Sequence, residues 1–172
     1  RHIALMPGPA SERGQTRERG QDRWEQDAHA WWAATQRAIT ECVSGLDGDN
    51  EIRALSVTHQ RETFVVTDAA GTPLAPAIVW MDSRGREQVA APIQKLGADR
   101  IHELSGKPPC ITPSLYKLLH LLARKPELAS KKSRLHDVHG FLVEKLTGRF
   151  ATSLASADPL GLIDMRARTW SS

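Results

Sequence analysis

The 172 residues carry 23 Lys and Arg against 20 Asp and Glu. The resulting net charge of +3 is too slight and too scattered to mark a nucleic-acid binder. At 40% hydrophobic residues the chain can bury one sizeable core, and no apolar run nears the ~20 residues of a membrane helix.

Residues 1–23 hold Pro7, Pro9, Gly8, Gly14 and Gly20 among many charges. They show little periodicity, so an irregular segment is expected there, with the folded domain occupying residues 24–172. Ile3 to Met6 is too short for the apolar part of a secretory signal. Asp27 is a good N-cap for a helix from Ala28. Trp31, Trp32, Thr35, Ala38, Ile39, Cys42 and Val43 recur at helical spacing up to Ser44, and Gly45 supplies the stop. Cys42 and Cys110 form no CxxC, and two buried thiols in a reducing cytoplasm fit them better than a disulfide.

The chemistry concentrates between Ile52 and Arg84. Ile52 to Val57 is short and mostly apolar, as in a strand buried on both faces. It ends in the polar cluster Thr58-His59-Gln60-Arg61-Glu62. Thr63 to Thr67 is β-branched and aromatic, a second strand. Asp68-Ala69-Ala70-Gly71 is a turn, and Ala77 to Trp80 a third strand that runs into Asp82-Ser83-Arg84. The strand ends thus present an amide (Gln60), a guanidinium (Arg61), two carboxylates (Glu62, Asp82) and an indole (Trp80). Such a set suits a polyhydroxylated ligand: carboxylates accept from hydroxyls, Arg and Gln donate, and Trp walls the C–H faces.

Helices are expected over 84–96, 99–104, 114–123 and 137–146, with Gly97, Ser105-Gly106 and Thr147-Gly148 as stops. Leu115, Leu118, Leu119 and Leu122 are the expected inward face of the third. Lys107 to Pro113 is a Pro-rich loop, Pro126 to Ala129 a single turn, and no internal repeat is present.

Gln60-Arg61-Glu62-Thr63 resembles the glycerol kinase form of a loop in the FGGY carbohydrate kinases. Ala77-Ile78-Val79-Trp80 with Asp82 and Arg84 resembles that family's "AI-apolar-W-x-D-x-R" segment. Gly20 to Asp27 with Trp31-Trp32 resembles the family's approach to its first helix. His136-Asp137, Phe141-Leu142 and Leu146-Thr147-Gly148, then Thr152 to Ala157, Leu160 to Asp164 and Trp170, resemble its later segments. The resemblance covers residues 20 to 170. It implies an α/β, actin-like (ribonuclease H-like) domain with a mixed sheet and flanking helices. It also implies ATP-dependent phosphorylation of a sugar or polyol hydroxyl by the intact, cytoplasmic enzyme, with ATP and Mg2+ as cofactors.

In the resemblance Arg61 donates to adjacent hydroxyls, Glu62 and Asp82 accept from hydroxyl pairs, Trp80 packs on the carbon skeleton, and Gln60 braces the loop or reaches a terminal hydroxyl. The Gln60-Arg61-Glu62 run leans towards glycerol-like polyols. The segments after Asp137 lean towards ketoses such as xylulose, as does Ile111-Thr112-Pro113, where glycerol kinases tend to place an aromatic residue. The D-x-G-T loop and the Gly–Asp loop of the catalytic Asp find no counterpart here. The expectation is therefore an apparently incomplete, substrate-binding part of a kinase that is inactive alone, binds no cofactor or metal by itself and contains no catalytic residue. The alternative is a non-catalytic polyol- or protein-binding domain. Neither nucleic acid nor membrane is an expected partner, while self-association, as in a homodimer, is. His136-Asp137-x-His139 has the composition of a metal cluster, yet Asp137 at a helix start reads better as a cap. His59 has the chemistry of a general base, but a loop or packing role is preferred for it.

Overall fold

A computed structural model describes residues 23–46 and 51–171. The irregular segment expected before Trp24 lies almost wholly outside them.

The fold is organised around β2 (Phe64–Thr67), whose four residues are all buried. It sits between β3 (Ala77–Ile78) and β4 (Arg134–Asp137), and β1 (Glu25–Gln26) extends the sheet beyond β3. The order β1-β3-β2-β4 is antiparallel at every pairing. Alternation along β2 sends its side chains into two separate cores. Phe64 and Val66 join Ile78, Leu121, Leu128, Leu160 and Ile163 on one face. Val65 joins Ala28, Ala77, Val138, Phe141 and Leu142 on the other. The second face is covered by α1 (Ala28–Ser44) and α5 (Val138–Thr147), the first by α4 (Ser114–Arg124) and the segment around α6 (Leu154–Ala157). Between them come α2 (Ala90–Leu96) and α3 (Ala98–Ser105), and β5 (Ile163–Asp164) and β6 (Thr169–Trp170) close the chain as a hairpin.

Local chemistry explains most boundaries. Asp27 caps α1 by accepting from His29 N at 2.9 Å, and Asp137 caps α5 by accepting from Gly140 N. In the β2–β3 hairpin Asp68 Oδ1 accepts from Ala70 N and Thr72 N at 2.8 and 2.9 Å, and Gly71 takes φ +75°. Gly85 has a different reason: a Cβ there would stand 2.6 Å from the Tyr116 carbonyl carbon, so only glycine lets this loop touch α4.

Three expectations are corrected, and one strand was not foreseen. Ile52 to Val57 forms no strand, and Ile52 and Leu55 are 58% and 53% exposed. A strand needs a hydrogen-bonded neighbour, and none of the described strands lies beside it. Only antiparallel pairing is therefore seen among the described residues of the expected mixed sheet. β4 was not foreseen, because Arg-Leu-His-Asp lacks β-forming residues; it forms since each residue pairs along the full length of β2. On α4 the deepest positions are Ser114, Tyr116, Lys117, His120 and Leu121, while Leu118 and Leu122 are only half-buried. Cys42 and Cys110 are exposed free thiols, since neither the last turn of α1 nor the Pro-rich loop is covered.

Candidate functional site: a polar clamp at one end of the sheet

Phe64 opposes both Ile78 and Asp137. The start of β2, the end of β3 and the start of α5 therefore lie at the same end of the sheet. This register brings loop 59–63 beside loop 79–84, as the strand-end reading required.

The two loops are fastened from below. Trp80 N donates to Thr63 Oγ1 at 3.1 Å, and Ser114 Oγ donates to the Glu62 carbonyl at 2.8 Å. One turn further along α4, the Lys117 ammonium donates to the carbonyls of Thr112 at 2.6 Å, Trp80 at 3.3 Å and Ile111 at 3.4 Å. Lys117 is 0% exposed. Burial pushes its pKa down to about 8, against the pull of Asp82 and Glu62. Ser114 and Lys117, spaced i and i+3, thus tie together both loops and the Pro-rich segment. Sequence reasoning missed them because the leucines of α4 suggested a different inward face. The signal was there: a lysine on an otherwise apolar helix, three residues after a serine that opens it.

Arg61, Glu62 and Trp80 remain at the surface above this fastening. The Arg61 side chain is 54% exposed, and Trp80 is exposed too. Glu62 is half-buried and adopts φ +57°, a left-handed conformation that costs a non-glycine residue roughly 1–3 kcal/mol. Arg61 Nη2 meets Asp158 Oδ2 at 3.0 Å, and Lys107 Nζ contacts the other oxygen of the same carboxylate.

Asp82 and Gln60 are placed differently. Asp82 is 1% exposed, and its oxygens accept from Trp24 N, Arg84 N, Arg84 Nε and Arg84 Nη2 at 2.7–2.9 Å. Arg84 Nη1 reaches Glu25 at 2.8 Å as well. Asp82 is thus buried, with its oxygens on Trp24 and Arg84. Gln60 Nε2 donates to Gln26 Oε1 at 2.6 Å, an oxygen that also accepts from Trp31 Nε1 at 3.0 Å. Of its two expected roles, the geometry matches the loop brace.

Both ring nitrogens of His59 are engaged. Nδ1 of His59 faces the Gln60 carbonyl at 2.9 Å and Nε2 faces Ser156 Oγ at 3.0 Å. Asp137 is occupied by Gly140 N and Thr152. No group of three or more metal-ligating side chains stands together among the described residues. The side chains left at the surface are a guanidinium, a carboxylate and an indole, groups that can hydrogen-bond hydroxyls and pack on C–H faces.

An α/β domain of actin-like fold with a polar clamp at its strand ends belongs to the class of sugar-kinase domains, and comparison with known proteins bears this out. Residues 10–172 match the model of the FGGY family of carbohydrate kinases, N-terminal domain, and the chain belongs to that family. It is 30% identical over 138 residues to a xylulose kinase of Streptomyces coelicolor, covering 80% of this chain and 28% of the relative. It is 35% identical over 144 residues to a glycerol kinase of Thermococcus kodakarensis, covering 81% and 29%. A ligand-bound xylulose kinase from Lactobacillus acidophilus superposes with a TM-score of 0.80 at 25% identity, over 92% of this chain and 31% of that one. A gluconate kinase from the same organism superposes with a TM-score of 0.79 at 25% identity, over 91% and 31%. The chain spans under a third of the length of the curated relatives it matches. No described helix is long and apolar enough to cross a membrane.

Proposed function

We propose that this chain forms the sugar- or polyol-binding part of an ATP-dependent carbohydrate kinase, with Arg61, Glu62 and Trp80 as the residues that meet the ligand. The kinship with xylulose and glycerol kinases supports the reaction class. The observation that carries the site is Glu62. Its backbone is strained at φ +57°, its carbonyl accepts from Ser114 Oγ, and Arg61 before it in the chain has a half-exposed guanidinium. Strain of this kind persists where the surrounding structure over-determines it, and it clusters at ligand clamps.

In this role Glu62 accepts from two hydroxyls, Arg61 donates to neighbouring oxygens, and Trp80 shields the carbon chain. Buried Asp82, Arg84 and Lys117 hold the loops so that little ordering is left for the ligand to impose. The clamp orients the hydroxyl that receives the phosphoryl group.

Titration of the purified chain with glycerol and with D-xylulose, followed by ligand-observed NMR, tests the reading. Saturable binding is expected, weakened at least about tenfold in Arg61→Ala, as for the loss of a charged hydrogen bond. Unsaturable signals for both ligands, or equal binding by Arg61→Ala, would refute it.

A further inference from the structure

We propose that Asp158, held between Arg61 and Lys107, makes this surface select neutral polyhydroxylated ligands and reject sugar acids. The inference rests on the sugar-site reading above and narrows its substrate class.

The ionic arrangement is compact. Asp158 uses one carboxylate oxygen for Arg61 Nη2, at 3.0 Å, and the other for Lys107 Nζ. Lys107 also donates to the Ser105 carbonyl at 3.3 Å. The carboxylate is 21% exposed, so this pair is screened less than an ordinary surface pair. Its backbone is fixed too: the Asp158 carbonyl accepts from Gly161 N at 3.2 Å in a 3-10 turn that begins at Asp158. Asp158 is thus a built feature of the fold, delivered to Arg61 from 97 residues away.

The consequence is electrostatic. A guanidinium beside a sugar site would ordinarily be the docking point for a ligand carboxylate, which it can grip with two parallel hydrogen bonds. Here Asp158 already takes one of its donors, Nη2, and sets a negative charge beside the rest. Lys107 is bound by the same carboxylate, and the buried Lys117 is taken by three backbone carbonyls. Glu62, next to Arg61, adds a second negative group. Two cations, Arg61 and Lys107, are balanced by two carboxylates, Asp158 and Glu62. A ligand carboxylate would approach Asp158 and Glu62 against like charge, at a guanidinium whose charge Asp158 already partly compensates. A hydroxyl meets no such cost, because a guanidinium with one pair engaged keeps donors to spare and each carboxylate keeps lone pairs. Discrimination thus comes from repulsion and prior occupancy. The contrast is a real one for this fold, since one similar structure is a gluconate kinase.

The test compares D-xylulose with D-gluconate on the purified chain by titration calorimetry and ligand-observed NMR at low and moderate salt. The wild type should favour D-xylulose over D-gluconate by at least about tenfold, as expected for an unmet charge at a half-buried site. Asp158→Asn, which keeps the shape and frees both cations, should cut that ratio about tenfold through tighter gluconate binding. Added salt should erase the gain, and a second change of Arg61→Ala should remove it. Should Asp158→Asn fold poorly, Lys107→Met serves: with one cation removed, the ratio should move further against gluconate. A wild type that binds gluconate as tightly as xylulose overturns the inference, as does a ratio that neither variant moves, while the sugar-site reading survives either result. A wild type that binds neither ligand overturns both.

Discussion

Asp82 and Arg84 stand two residues apart and grip each other as a buried fork, Nε on Oδ1 at 2.8 Å and Nη2 on Oδ2 at 2.7 Å. The same carboxylate takes Trp24 N at 2.7 Å, so it also anchors the chain that enters β1. Breaking a buried pair from one side leaves the other charge uncompensated, which costs about 3–5 kcal/mol. Asp82→Ala should therefore lower stability by that amount. A domain of this size loses about 2–4 °C per kcal/mol, so the melting temperature should fall by about 10 °C. A loss below about 1 kcal/mol by urea unfolding would mean that Glu25, 2.8 Å from Arg84, carries the charge alone.

Glu62 predicts the opposite behaviour. Its φ of +57° is natural to glycine and strained for glutamate. Glu62→Gly should leave stability unchanged or raise it by about 1 kcal/mol, because relieved strain offsets the added freedom of the unfolded chain. It should also abolish polyol binding. Unfolding and ligand NMR on one sample separate the two effects. A loss of 2 kcal/mol or more, with binding intact, would make Glu62 a structural residue.

The contrast between these two acids marks what the sequence made legible. Glu62 and Asp82 both read as carboxylates at the ends of strands, but Glu62 stands before β2, since the strand expected ahead of it does not form. What composition could not tell was that Asp82 is buried against Trp24, 58 residues earlier, while Glu62 is only half-buried. The turn at Asp68–Gly71, the caps Asp27 and Asp137, and the helix stops at Gly97 and Gly148 rest on local chemistry, and they were readable. β4 and the fastening by Ser114 and Lys117 depend on partners far away in sequence. Ile52 to Val57 failed for a related reason. Its composition is that of a buried strand, but a strand exists only where another chain segment accepts its hydrogen bonds.

His136 should govern the acid side of stability. It is buried on β4 against Phe141 and Phe150, with Nε2 3.1 Å from Thr67 Oγ1 and 3.2 Å from Glu144 Oε2. Its Nδ1 is buried without a hydrogen-bond partner. Burial lowers its pKa from 6.5, outweighing the opposing pull of Glu144 and Asp137, while Arg134 adds to the lowering. The unfolded chain then takes up a proton that the folded chain resists, so stability falls as pH drops below about 6.5. His120, lowered by burial and by Arg124, Arg84 and Arg23, acts in the same direction. Urea midpoints at pH 5 and pH 7 should differ for the wild type, and less so for His136→Asn. An equal difference in both would assign the acid loss to other groups.

Lys117 should leave its mark on the alkaline side, with the opposite protonation state at stake. Its folded pKa, about 8, lies below the unfolded value of 10.5, chiefly because burial disfavours the ammonium. Between those values the unfolded chain holds a proton that the folded chain has released, so raising the pH favours the fold. Stability should therefore climb from pH 8 upward. It should level near pH 10, where Tyr116, its hydroxyl pushed above 10.0 by burial, begins to act in the reverse sense. Lys117→Met removes the climb. It also strips the carbonyls of Thr112, Trp80 and Ile111 of their shared charged donor, a net loss of about 1.5–3 kcal/mol for a hydrogen bond of this kind. That loss outweighs the relief of desolvating the ammonium, so the variant should be the less stable protein at pH 7. Amide exchange at 80–82 and 111–114 should quicken in the variant, because the lysine fastens those segments to each other. A stability curve that stays flat from pH 8 to 10 in the wild type would show that the three carbonyls hold the ammonium charged, and that burial does not win at this site.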